Sequence, residues 1–344
     1  MRLTPLAKER WQRFKKIRRS YWSLWILAGA FFLSLFSEFL ANDKPLVVQY
    51  EGRYFFPIVT FYSEKDFGGE YGTAADYRRL KESQRFQAGD GWMLFPPIPY
   101  SPVESFLDLP GSPPHPPSSE HWLGTDGAAR DVFVRILYGF RICLGFALAL
   151  TLLSTLLGII IGGVQGYAGG KIDIFGQRLI EIWAALPFLY VVILIGAIYG
   201  RSFPLLLTIT AIFAWIGISY YVRAEFLKIR ELEFVTASRA SGAGHIRILF
   251  KQIMPNAWTP VITLLPFSLV SGIGTLTSLD FLGFGLQPPT PSWGELLQQG
   301  LKYLHAPWLA ISAVGALFIT LLLATFIGEG VREAMDPKSL TRLR

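Results

Sequence analysis

Apolar blocks about as long as a bilayer is thick recur along this chain, at residues 21–40, 142–164, 182–199, 203–222, 258–279 and 307–327. A helix needs roughly twenty such residues to cross hydrocarbon, and a helix satisfies its own backbone polar groups where no water can. The expected fold is therefore an all-α polytopic membrane protein with six transmembrane helices. With 51% hydrophobic and 15% aromatic residues and a mean hydropathy of +0.38, the chain is too apolar for an ordinary soluble domain.

Charge sets the expected orientation. Arg10, Arg13, Lys15, Lys16, Arg18 and Arg19 precede the first block, which places the N-terminus in the cytoplasm. Ser37-Glu38-Phe39-Leu40-Ala41 after it offers no small-x-small cleavage site, so the block reads as a retained first span. Six crossings return the C-terminus to the same side. Twenty of the 32 Lys and Arg residues then fall in cytoplasmic segments, and sixteen of the 25 acids fall outside. The net charge of +7 is thus accounted for by topology rather than by nucleic-acid binding. Cys143, the single cysteine, lies in an apolar run and is read as a packing residue.

The domain reading follows. Residues 1–20 form a cytoplasmic basic segment, 21–40 the first span, 41–135 a periplasmic insertion with an interfacial helix, 136–327 a five-helix core with a cytoplasmic loop at 223–257, and 328–344 a cytoplasmic tail. Within the insertion, 46–50 and 53–56 joined by Glu51-Gly52 predict a hairpin, and 74–87 a short helix. The proline-rich tract 96–117 predicts an extended path. His115, Glu120 and His121 lack a metal-binding spacing and read as solvated surface. From Gly124 on, Val132, Phe133, Ile136, Leu137 and Phe140 share one face while Arg130, Asp131 and Arg135 lie elsewhere, which predicts a helix lying in the interface before the second span. Gly158, Gly162 and Gly166, four apart, predict close approach of another helix. The segment 166–178 is expected to be a short loop, and Pro187 to kink the third span.

Two absences bear on energy coupling. Glu38, Arg141, Glu181 and Asp280 sit near span ends, so no charge is forced to mid-bilayer, as a proton-coupled carrier would favour. Gly169-Gly170-Lys171 lacks the glycine spacing of a phosphate loop, and Ile172 stands where Ser or Thr would hold magnesium. Any ATP would be hydrolysed by another subunit.

The most informative stretch is a polar interruption at 233–256. Residues 232–241 predict a short helix that stops at Gly242; 245–253 predict a second, amphipathic helix carrying Arg247, which Pro255 closes. Flanking apolar runs argue against a DNA-binding helix-turn-helix. The stretch resembles the cytoplasmic EAA loop of ABC importer permeases, in which EAA is followed by three residues, Gly, nine residues, then Ile-x-Leu-Pro. Thr236-Ala237-Ser238 stands at EAA, Gly242 at the glycine, Gln252 at the Ile and Met254-Pro255 at Leu-Pro. Residues 122–143 resemble an LGTD…GRD…R…YG-R pattern in the dipeptide and oligopeptide subfamily, 280–300 its FLGLG-QPPTPSWG loop, and the GEGVREAMDP segment its C-terminus. The long insertion and the YGFR, IEIW and ASRASGAG segments are most similar to the Yej type.

The resemblance implies a type I ABC importer permease fold in the bacterial inner membrane. It also implies uptake of oligopeptides or microcin C-like compounds, and as partners a second, B-type permease, cytoplasmic ABC ATPases and a periplasmic substrate-binding protein. No cofactor is expected in this chain, with ATP and magnesium on the ATPase, and no nucleic-acid partner. The ATPase-coupling residues it implies are Thr236, Ala237, Ser238, Gly242, Ala243, Arg247 and Pro255. The alternatives are an importer for a nickel chelate or sugar, a secondary transporter or pore, and a membrane-anchored enzyme; five further spans exceed what anchoring needs.

Overall fold

A computed structural model of the chain describes residues 5–83, 86 and 91–336. These residues are mostly helical and fall in two compact units. One holds Ile142–Gln287 with the stretches up to Gly29 and from Ala316; the other holds Ala30–Arg141 and Pro288–Gly315.

Helices α1 (Pro5–Lys16), α2 (Arg18–Ser34) and the single turn α3 (Ser37–Leu40) open the chain. The block expected at 21–40 is thus interrupted after Ser34. Ser34 Oγ donates to the Phe31 carbonyl and Ser37 Oγ to the Ser34 carbonyl, both local bonds that compete with the helical ladder.

In the unit containing 30–141, Glu51 (φ 48°) and Gly52 (φ 73°) make the hairpin turn between β1 (Val47–Tyr50) and β2 (Arg53–Phe55). A third strand unanticipated by the sequence, β3 (Trp92–Leu94), pairs antiparallel with β1. Val48 and Tyr50 point to one face, where Phe67, Tyr77 and Phe86 complete an aromatic core. The helix expected at 74–87 is α4 (Tyr77–Glu82), capped by the Asp76 carboxylate; residues 84, 85 and 87 lie outside the described residues.

The same unit holds a buried ionic cluster. Arg130 Nη2 lies 2.7 Å from both the Asp126 and Glu295 carboxylates, and Arg135 Nη2 lies 2.5 Å from Glu295. Asp126 and Arg135 are fully buried. Gln299 on α12 (Trp293–Lys302) bonds Glu295 at 3.1 Å and accepts from Gly127 N at 2.8 Å. His121 is no surface residue: it is 4% exposed, its Nδ1 is 2.7 Å from Asp131, and its ring packs on Tyr100 and Phe106.

No separate helix precedes the second span. Residues 124–131 make turns, and α5 runs unbroken over Val132–Ala168, about 55 Å at 1.5 Å per residue. The expected interfacial helix is its first turns; Arg135, assigned to the polar side, is buried because Glu295 neutralises it. The segment expected as a loop is helix α6 (Gly170–Ala184), entered through Gly169 at φ 63°. The apolar block expected as the third span is accordingly split between two helices, α6 and α7 (Phe188–Tyr199), bent by 66° across a break that ends at Pro187. Pro187 ends the first helix rather than merely kinking it, since proline cannot supply the N–H that the next turn needs.

Helix α8 (Phe203–Ile229), the helical stretch His245–Phe281 and α13 (Pro307–Met335) complete the apolar set. Among the described residues, four helices are long and apolar enough to cross a membrane, or five with the bent pair. The expected glycine seam is present. An added Cβ would lie 2.8 Å from Ile218 at Gly158 and 2.6 Å from the Arg223 carbonyl at Gly166, and would overlap Ser219 at Gly162. All three faces meet α8, so the absence of side chains sets the approach of α5 to α8.

Candidate functional site

Two helices leave the membrane-length elements and turn back at Gly242. Helix α9 (Glu233–Ala240) stops because Gly242 takes φ +80°, a left-handed conformation that costs an L-residue about 1–2 kcal/mol. Ala243 N donates to the Ser238 carbonyl at 3.0 Å and Gly242 N to the Arg239 carbonyl at 3.1 Å, closing the C-terminus of α9. Helix α10 (His245–Ile248) follows, then a π-helical turn, Leu249–Ile253, then α11 (Met254–Phe281). Pro255 therefore does not close the second helix. It occupies the first turn of α11, where the wider π turn absorbs the missing N–H, and the elbow passes into a long helix without a break.

The inner face of the elbow is anchored. Val235, Ile248 and Ile253 are fully buried against Val222, Phe226 and Ile229 of α8 and Ala257 and Val261 of α11, with Ile159 and Tyr167 of α5 packed alongside. Polar ties add direction. Tyr167 Oη is 2.7 Å from His245 Nδ1, and Arg230 Nη1 donates at 3.4 Å to the Gly166 and Tyr167 carbonyls at the end of α5. Arg223 makes a two-pronged contact with Asp173 of α6. The elbow is thus tied to α5, α8 and α11 together.

The outer face is open. Phe234 is 45% exposed, Phe250 57% and Ile246 77%. Gly244, His245, Ile246, Arg247, Phe250 and Lys251 line a shallow hollow of 730 Å³. Arg247 and Lys251 have no acidic partner among the described residues. A contiguous apolar and basic surface on a short projecting element is suited to a protein partner rather than to solvent.

Each expected coupling residue has a definite place here. Thr236 and Ala237 are exposed on α9, and Thr236 Oγ1 bonds the Glu233 carbonyl at 3.0 Å. Gly242 forms the corner, where an added Cβ would meet nothing within 4 Å, so its requirement is conformational rather than steric. Ala243 packs on the inner cluster, Arg247 faces outward, and Pro255 is exposed beyond the π turn. Ser238 bonds Gln252 Nε2 at 2.6 Å, across the elbow. Gln252 was not singled out from the sequence. The available signal was that Ser238 and Gln252 both depart from the EAA-loop pattern, and the hydrogen bond makes them a matched pair.

Residues 154–339 match the family model described as "Binding-protein-dependent transport system inner membrane component". The chain belongs to this family. It is 47% identical over 336 residues to the inner membrane ABC transporter permease protein YejE of Escherichia coli (strain K12), covering 98% of each. It is 43% identical over 363 residues to the peptidoglycan transport system permease protein YejE of Agrobacterium fabrum, covering 98% of this chain and 95% of that one. The dipeptide transport system permease protein DppC of Bacillus subtilis is 36% identical over 274 residues, covering 76% and 84%. The resemblance carried by the elbow and the flanking motifs is borne out. The protein is an inner-membrane ABC transporter permease, and the elbow lies within the matched region.

Proposed function

We propose that this permease is one of two unlike membrane subunits of an ATP-driven importer for oligopeptides or peptide-like compounds of the microcin C type. The dipeptide and peptidoglycan transport named for two of the relatives supports a peptide-containing substrate. Six spans place both termini in the cytoplasm and the insertion in the periplasm, where a binding protein delivers substrate. The first span is α2 with α3, and the bent pair α6–α7 is the third. ATP and magnesium belong to the cytoplasmic ATPase subunits.

The observation that carries this reading is the two-faced elbow, buried within against α8 and α11 and open without around Ile246 and Phe250. Thr236, Ala237, Ser238, Gly242, Ala243, Arg247 and Pro255 form the coupling element. Their outer surface seats in a groove of the ATPase, and closure of the ATPase pair moves the elbow as a lever, turning the spans between outward and inward access. A mild-detergent pull-down of the tagged native protein tests it. Co-purification of a second permease and a P-loop ATPase with measurable ATP hydrolysis is expected; a chain that purifies alone and without ATPase activity under several gentle conditions would refute it.

A further inference from the structure

Helix α1 carries a groove that the coupling mechanism does not use. Ala7, Arg10, Trp11 and Phe14 recur at the spacing of one helical face and line a cavity of 400 Å³, closed by Leu24 of α2, Ile262 of α11 and Ile327 and Val331 of α13. Its walls are apolar except at Arg10, whose Nη2 donates to a neutral partner, Thr259 Oγ1, at 3.3 Å and which has no acidic partner among the described residues. Gly330 lets α13 approach closely enough that an added Cβ would lie 3.0 Å from the Phe14 ring.

The charge beside this groove is one-sided. Residues 7–20 hold seven cations and one acid, Glu9. Arg13 is paired with Glu9 and Arg19 with Glu329, and Lys15 lies over the Trp11 ring. Lys8, Lys16 and Arg18 are exposed with no acidic partner among the described residues. On α2, Trp22 and Trp25 are 61% and 52% exposed, and indole rings favour the headgroup boundary of a membrane.

We propose that this groove is a binding site for an anionic phospholipid. One acyl chain lies between α1 and the α11–α13 wall, and the headgroup phosphate is held by Arg10, while Lys8, Lys16 and Arg18, exposed off the groove, add positive potential at the headgroup surface. The occupant is a lipid rather than a protein helix because the groove walls belong to the long apolar helices α11 and α13, and because Arg10 and the exposed cations beside it have no matching acid among the described residues. Zwitterionic lipid would satisfy the walls but leave the rim uncompensated.

The test uses the full-length protein in phosphatidylcholine vesicles containing a small, fixed fraction of phosphatidylglycerol or phosphatidylcholine brominated on its acyl chains. The Trp11 signal is taken as the difference between wild type and Trp11→Phe. Quenching of that signal several-fold stronger with the brominated phosphatidylglycerol is expected. That several-fold preference should be lost in Lys8→Gln/Lys16→Gln/Arg18→Gln and should weaken with salt. Ala334 of α13 also lines the groove, so Ala334→Phe, which fills it while leaving the cations, should abolish the quenching by both lipids. Equal quenching of Trp11 by the two lipids, or a preference unchanged in the triple variant, would overturn the proposal. The triple variant changes only exposed side chains, so its result stands even if the groove-filling variant does not fold.

Discussion

At the residue scale the elbow depends on one backbone conformation and one side-chain pair. Gly242 sits at φ +80° with open space where a Cβ would go, so Gly242→Ala strains the corner by about 1–2 kcal/mol and Gly242→Val by more. The expected outcome is normal membrane insertion with lowered uptake and lowered substrate-stimulated ATP hydrolysis, Val worse than Ala, measured in reconstituted vesicles. Ser238 and Gln252 couple the two arms, and a double-mutant cycle with Ser238→Ala and Gln252→Leu should return a coupling of about 1 kcal/mol in thermal unfolding. A value near zero would remove the bond from the account. In the insertion, burial holds the Glu104 carboxyl above its ordinary 4.5 despite the facing Arg78 guanidinium. A raised folded-state value means that the folded form binds the proton more tightly. Its contribution to stability is therefore present below pH 4.5 and is lost as pH rises through the folded-state value. Glu104→Gln should flatten that part of the stability profile, read by thermal melts across the acid range.

At the scale of elements, one contact in each unit fixes the arrangement within it. The seam of Gly158, Gly162 and Gly166 against α8 has no room for side chains, so Gly162→Leu should separate the helices and lower the melting temperature sharply. Gly145→Ala on the same helix, where a Cβ would meet nothing within 4 Å, should be neutral or slightly stabilising. In the other unit, Glu295→Ala would leave Arg130 and Arg135, both buried, to share the one Asp126 carboxylate, at a cost of about 3–5 kcal/mol. A thermal shift no larger than that of a surface substitution would contradict the cluster's role. The glycine seam was legible in sequence because its period equals that of a helix face, and the β1–β2 hairpin because Glu51-Gly52 supplies the positive φ angles of its turn. The ionic cluster was not legible, since Arg135 and Glu295 are 160 positions apart and nothing local links them. Strand β3 is only three residues long and pairs with residues more than forty positions earlier. Pro255 misled because a proline signals a stop in a helix interior but fits a first turn, and only the π turn before it shows which applies.

At the scale of the whole molecule, the account joins a membrane permease to an external energy source through one projecting element. Family and membrane character were readable from apolar blocks and ordered motifs. The anchoring of the elbow was not, because Val235, Ile248 and Ile253 resemble any other apolar residue until α8 is packed beneath them. The central claim is that the open face of the elbow seats on an ATPase. The most direct measurement places a photo-crosslinking amino acid at Ile246 or Phe250, 77% and 57% exposed, in the transporter assembled in native membranes. A control position at Ile311, 69% exposed on α13, reports background capture. The account predicts a covalent adduct between the elbow positions and a P-loop ATPase, identified by mass spectrometry and absent from the control. Crosslinks from the elbow only to lipid or to another membrane subunit, in an assembly that still hydrolyses ATP, would contradict it.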